Sequence, residues 1–131
     1  MIVIDCSYTL AMVLPDELPP ASIEQAATTR LLVPSIWPYE VANACRSAVR
    51  RGRIAEAEML AVIARIEALQ IEASGMLDAA VRARYLAAAA HDLTAYDAAY
   101  IDLAGQRRCA LATLDARLAA AARAAGVPVV C

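Results

Sequence analysis

The chain has 131 residues, 61% of them hydrophobic, and a net charge of −2, which suits one compact domain spanning 1–131 and does not announce a nucleic-acid binder. All 12 basic residues are Arg and there is a single histidine, which excludes a Walker phosphate loop, a Schiff-base lysine and any His-pair metal site. No apolar run reaches the roughly 18–20 residues of a membrane span, and Met1–Asp5 lacks the features of a signal peptide, so a cytoplasmic protein is expected.

The apolar run Ile2–Cys6 predicts a buried strand, and Tyr8–Leu14 a short helix stopped by Pro15. A turn at Asp16–Pro20 leads to a helix over Ala21–Thr29 and a second strand, Leu31–Val33, closed by Pro34. Trp37–Arg51 reads as a helix, with Pro38 in its first turn, where a missing N–H costs little, and Gly52 past its end. Ile54, Met59, Leu60, Val62, Ile63, Ile66 and Leu69 recur at helical spacing. Gln70–Ala73 reads as an edge strand, followed by helices over Met76–Ala90 and Thr94–Gln106. A strand over Cys109–Thr113, a helix over Asp115–Ala125 ending at Gly126 and a last strand, Val127–Val130, complete the chain. Pro128 places that last strand at a sheet edge. Short apolar strands separated by helices imply an α/β fold with a parallel sheet covered on both faces.

In such sheets, sites form beyond the carboxyl ends of the strands, and several acids fall there. Asp5 closes the first strand, Glu40 lies in the first turn of the helix after Leu31–Val33, and Asp115 opens the helix after Cys109–Thr113. Asp97 sits in the first turn of the helix that starts near Thr94. Three of these acids have ordinary explanations. Thr94-x-x-Asp97 resembles a capping box, Glu40 suits a helix N-terminus, and Asp115 suits an N-cap. Asp5 differs, because an acid ending a central strand is expected to have no helix end to cap, and an unpaired buried carboxylate is costly. Four carboxylates on one edge repel unless a cation lies among them, and Mg²⁺ or Mn²⁺ is the hard ion suited to oxygen ligands.

Val3-Ile4-Asp5-x-Ser7, Pro38-x-Glu40-x-x-Asn43, Leu93-Thr94-x-Tyr96-Asp97-Ala98-x-Tyr100 and Leu111-Ala112-Thr113-x-Asp115-x-x-Leu118 together resemble the PIN-domain nucleases, most nearly the VapC-type toxins of bacterial toxin–antitoxin pairs. The resemblance implies a three-layer α/β/α sandwich with a short, mostly parallel sheet, and Mg²⁺ or Mn²⁺ at the acids. It also implies endonucleolytic cleavage of RNA to a 5′-phosphate and a 3′-hydroxyl. Asp5, Glu40, Asp97 and Asp115 would be the metal-binding catalytic acids; Ser7, Asn43 and Thr113 would orient them or a water. A homodimer and a cognate antitoxin that reaches the acidic pocket are implied as partners. The implied chemistry is phosphodiester hydrolysis in which divalent ions activate water and offset charge at the phosphate, with no histidine base.

Arg46, Arg50, Arg51 and Arg53 cluster at the end of the helix carrying Glu40. They are either a solvated face near a helix C-terminus or a contact for RNA phosphates or a partner. Setting aside the four site acids leaves ten of 14 acids against 12 Arg, so the remaining surface is slightly basic. His91 is expected to be structural. Trp37 and Tyr39 are expected in the core rather than stacked on a base, and Met12, Met59 and Met76 are expected to fill core or interface space. Cys6, Cys45, Cys109 and Cys131 have neither zinc spacing nor a disulfide framework. Two other readings compete with the RNA endonuclease: a binding module whose acids only cap helices, and a metal-dependent DNA nuclease or phosphatase.

Overall fold

The structure is a computed structural model that describes residues 1–75 and 78–131. In chain order its elements are β1 (Ile2–Ile4), α1 (Cys6–Val13), α2 (Ile23–Ala27), β2 (Leu31–Pro34), α3 (Trp37–Arg50) and α4 (Glu56–Glu67). After these come β3 (Glu72–Ser74), α5 (Val81–His91), α6 (Ala95–Arg107), β4 (Ala110–Ala112), α7 (Ala116–Ala124) and β5 (Val129–Val130). The strands form one sheet in the order β3-β2-β1-β4-β5, and every pairing is parallel.

Side chains of a strand alternate between its two faces, so a strand buried along its whole length needs cover on both sides. β1 (Ile2, Val3, Ile4) and β2 (Leu31, Leu32, Val33) meet that condition, as do Leu111 and Ala112 of β4. Burying a side chain such as Leu32 or Leu111 contributes about 1.5–3 kcal/mol. α6 covers β1, β2 and β4 and carries α5 on its outer side, whereas α1, α3 and α4 pack against one another as a second helical group. The α/β class and parallel sheet expected from the sequence are present.

Both edges of the sheet are polar or irregular, as exposed edges require. β3 is exposed at Glu72 and Ala73, and Glu72 takes an ion pair from Arg30 at 2.6 Å. On the other edge, the Pro128 carbonyl accepts a bond from the Leu111 N–H at 2.8 Å, a pairing that does not need the N–H proline lacks.

Several boundaries differ from expectation. Cys6 belongs to α1 and not to the first strand, because the chain turns at Asp5 directly into a helix. β3 begins at Glu72 because Gln70 adopts φ 53°, a left-handed conformation that ends α4 before the chain can extend. The helix expected from Met76 starts at Val81; its expected first residues, and Met76 as a packing residue, lie outside the described residues. Met59 is buried and Met12 partly so.

The sheet order sets the position of the site. From β1 the chain winds outward to β2 and β3 on one side, and β4 and β5 fill the other. Winding therefore reverses beside β1, and open parallel sheets place their sites at such a reversal, here the carboxyl ends of β1 and β4. α6 leads into β4, so its first turn lies over that same edge, as does the first turn of α3 after β2.

Candidate active site

Asp5 follows β1 directly at this carboxyl edge. Ile4 and Ala112 are register partners, so Asp5 and Thr113, one residue further on, emerge side by side. The Thr113 hydroxyl donates to Asp5 Oδ2 at 2.6 Å, and the Tyr8 N–H donates to Oδ1 at 2.8 Å. The Ser7 hydroxyl lies 2.8 Å from Oδ1 and 2.9 Å from Oδ2 and has one proton to share between them. Three donors therefore serve a carboxylate that is 5% exposed, which leaves about one of its four lone-pair sites open.

The Tyr8 bond makes Asp5 the N-cap of α1, contrary to the expectation that it has no helix end to cap. The strand passes into a helix with no intervening loop, so the terminal acid serves both. Burial pushes the Asp5 carboxyl above its usual range; its hydrogen bonds oppose the rise and the charge of Asp115 adds to it.

Asp115 is also an N-cap, accepting from the Arg117 and Leu118 N–H groups at 2.8 and 3.0 Å through Oδ1 alone. Its Oδ2 accepts no hydrogen bond among the described residues. Glu40 caps nothing. Its Oε1 accepts from the Tyr100 hydroxyl at 2.6 Å, and burial, with the charges of Asp97 and Asp5, raises its carboxyl against that bond. Asp97 occupies the first turn of α6, where its N–H donates to the Thr94 hydroxyl at 3.1 Å, one half of the expected capping box. Burial and the charge of Asp115 raise its carboxyl; the Thr94 hydroxyl and Arg117 oppose this.

Asp5 feels Asp115, Glu40 feels Asp97 and Asp5, and Asp97 feels Asp115. The fold thus brings the four acids into one electrostatic neighbourhood. Among the described residues, no three His, Cys, Asp or Glu side chains stand at the spacing of a metal cage. Mg²⁺ seldom uses such a cage; it keeps several waters and takes one or two carboxylates together with substrate phosphates. The donor set fits that habit, since it consists only of carboxylates and Glu40 Oε2 and Asp115 Oδ2 accept no hydrogen bond among the described residues.

The expected supporting residues divide. Thr113 and Ser7 hold Asp5, and Thr113 also accepts from the Asp115 N–H at 3.0 Å, while Ser7 accepts from the Leu114 N–H at 3.0 Å. Asn43 is exposed on α3 and makes no hydrogen bond to an acid among the described residues. Arg46, Arg50 and Arg51 are exposed. Arg53 differs, being held by Asp16 at 3.0 Å and Glu17 at 3.1 Å, so those two acids compete with any phosphate for its guanidinium.

Trp37 is buried, and its indole N–H donates to Thr9 at 3.1 Å. Tyr39, expected in the core, is 65% exposed, because a helix that buries positions 37 and 41 turns position 39 outward. His91 bonds Asp102 at 3.0 Å, joining α5 to α6 as a structural residue. Burial and the charges of Glu40 and Asp5 push the Cys6 thiol up to about 12, so it is no nucleophile at neutral pH. Two residues near the acids have no role assigned from sequence. Tyr100 was visible only as part of a motif, and Arg117 only as an Arg two places after Asp115.

Thr113→Val should cost about 1–3 kcal/mol in a urea unfolding experiment, because a buried carboxylate and the Asp115 N–H lose their partner. Thr113→Ser should recover most of that loss. A valine variant within about 0.5 kcal/mol of wild type would show that the bond contributes little.

A profile of the PIN domain matches residues 2–124. VapC ribonuclease Mb0985 of Mycobacterium bovis is 32% identical over 121 residues, covering 90% of this chain and 88% of that protein. Ribonuclease VapC9 of Mycobacterium tuberculosis matches with the same identity and coverage. The crystal structure of PAE2754 from Pyrobaculum aerophilum superposes with a TM-score of 0.72 at 22% identity, over 98% of this chain and 89% of that one, a likeness of fold.

Proposed function

The chain belongs to the PIN domain family, and from that premise we propose that it is a divalent-metal-dependent endoribonuclease, the toxin of a toxin–antitoxin pair. The observation that carries the proposal is the placement of Asp5, Glu40, Asp97 and Asp115 at the carboxyl edge of the sheet, where Asp5, Glu40 and Asp97 each feel the charge of another of the four. The names of the two mycobacterial relatives support ribonuclease activity. One nuclease domain over 1–131 is the unit proposed.

The four acids would hold Mg²⁺ or Mn²⁺. When bound, such an ion supplies activation of the attacking water and charge compensation at the scissile phosphate. The rest falls to the chain's own groups. Thr113, Ser7 and the Tyr8 N–H fix Asp5, so its free lone pair faces one direction. Asp115 is fixed through Oδ1 and presents Oδ2. Arg117 lies near enough to Asp97 to act on its charge, and its guanidinium is suited to a non-bridging phosphate oxygen. The exposed Arg46, Arg50 and Arg51 extend a basic track along α3 for the RNA backbone or the antitoxin. Asn43 is exposed on the same helix and makes no hydrogen bond to an acid among the described residues.

The proposed partners are RNA, a cognate antitoxin and a second copy of the chain. Val81, Tyr85 and Leu86 of α5 and Leu60 of α4 offer exposed apolar surface for protein partners. Among the described residues no helix is long and apolar enough to cross a membrane, and the cytoplasm is the proposed location.

The test is cleavage of RNA, single-stranded DNA and a small phosphomonoester, each with Mg²⁺, with Mn²⁺ and with chelator. RNA should be cut internally, leaving 5′-phosphates, and chelator should abolish the reaction. Cleavage that survives chelation, or that is confined to DNA or the monoester, would overturn the proposal.

A further inference from the structure

We propose that Tyr100 is a positioning residue that aims the Glu40 carboxylate at the cation site, an inference that rests on the metal-site reading above. Tyr100 is 0% exposed, and its hydroxyl donates to Glu40 Oε1 at 2.6 Å. It lies one helical turn after Asp97 on α6, whereas Glu40 belongs to α3. Those helices draw their main packing from different neighbours: α3 from α1 and α4, α6 from α5 and the sheet. The bond therefore spans two separately supported elements and ties Glu40 to the helix that carries Asp97.

Glu40 needs such a tie. A glutamate has three side-chain torsions, and a half-buried one has room to use them. Holding Oε1 leaves Oε2 as the free oxygen of a carboxylate of fixed direction. Outer hydrogen bonds of this kind orient ligating carboxylates, and their loss typically weakens metal binding by 10–100-fold.

A competing account makes Glu40 merely the acceptor that satisfies a buried hydroxyl. A backbone carbonyl would serve that purpose without desolvating a charge, as the Asp5 carbonyl does for the Thr9 hydroxyl at 2.7 Å. Pairing the hydroxyl with a carboxylate among three others is a poor way to stabilise a fold, but a direct way to orient a ligand.

The test is Mn²⁺ affinity, measured by calorimetry and paramagnetic relaxation up to millimolar Mn²⁺, for wild type, Tyr100→Phe, Glu40→Gln and the double variant. Tyr100→Phe should remain folded by circular dichroism and bind Mn²⁺ about 10–100-fold more weakly. On the Glu40→Gln background the same change should have little further effect, because the hydroxyl acts through that carboxylate. If wild type binds Mn²⁺ and Tyr100→Phe binds it equally, the positioning role falls while the metal site stands. Equal weakening in both backgrounds, or loss of folding in Tyr100→Phe, would assign the hydroxyl to fold stability and also overturn it. No Mn²⁺ binding by wild type would remove both the metal site and the positioning role.

Discussion

Replacing Asp97 with Asn should lower RNA cleavage by about 10³-fold, equivalent to roughly 4 kcal/mol of lost transition-state stabilisation, while leaving the folded chain at least as stable as the parent. The two effects have one cause. Asp97 sits where burial and Asp115 both oppose its charge, an arrangement that costs folding free energy and that a bound cation would relieve. Asparagine keeps the size of the side chain and the backbone N–H that donates to Thr94, so α6 keeps its N-terminal cap. It removes only the charge. Single-turnover cleavage of RNA and urea denaturation should be measured on the same preparations. Cleavage within about tenfold of wild type would mean that Asp97 is no more than a first-turn acid favoured by the helix dipole. A marked fall in stability would mean that its charge is already balanced by protein groups.

Without divalent cation the protein should grow less stable as pH rises above the ordinary carboxyl range, and added Mg²⁺ or Mn²⁺ should reverse that trend. Asp5, Glu40 and Asp97 all have carboxyls raised in the folded chain, burial being the first cause in each. Between the ordinary carboxyl range and the raised one, the folded chain holds protons that the unfolded chain has released. Stability therefore falls as pH climbs through that window, and the loss is complete above it. Glu72 works in the opposite sense, since Arg30 lowers its carboxyl, but this exposed pair is screened and contributes little. A cation that binds the ionised acids stabilises the folded chain by about 2.7 kcal/mol at a hundred times its dissociation constant, or about 10 °C in Tm for a domain of this size. Thermal scans at pH 5 and 7.5, with and without Mn²⁺, would show whether the sign reverses. A cation shift of equal size at both pH values would contradict binding through these carboxylates.

Most of the architecture was legible in the amino-acid pattern because it rests on local signals. Short β-branched runs, Pro38 in the first turn of α3, Thr94 as an N-cap and Gly126 after α7 each act within a few residues. Errors gathered where a local signal was ambiguous. Cys6 is apolar enough for a strand, yet the cap at Asp5 takes it into α1. Gln70 looked extended until its left-handed backbone closed α4. Tyr39 looked like core because an aromatic ring favours packing, although the helix that buries Trp37 turns Tyr39 outward.

The four acids show the same division more sharply. Their presence at strand ends and in first turns follows from sequence, since each lies at a transition marked by residues beside it. Whether they are caps or a common site does not follow, because one position can serve both ends. Asp5 and Asp115 cap helices and Asp5 also feels the charge of Asp115; among the described residues Glu40 caps no helix. Only the sheet order, with β4 inserted beside β1, sets Thr113 next to Asp5 across 108 residues and Tyr100 next to Glu40 across 60. Capping is local hydrogen bonding and is written in neighbouring residues. The repulsion that a bound cation would relieve is a through-space energy, and it exists only once the winding of the sheet has brought the carboxylates to one edge.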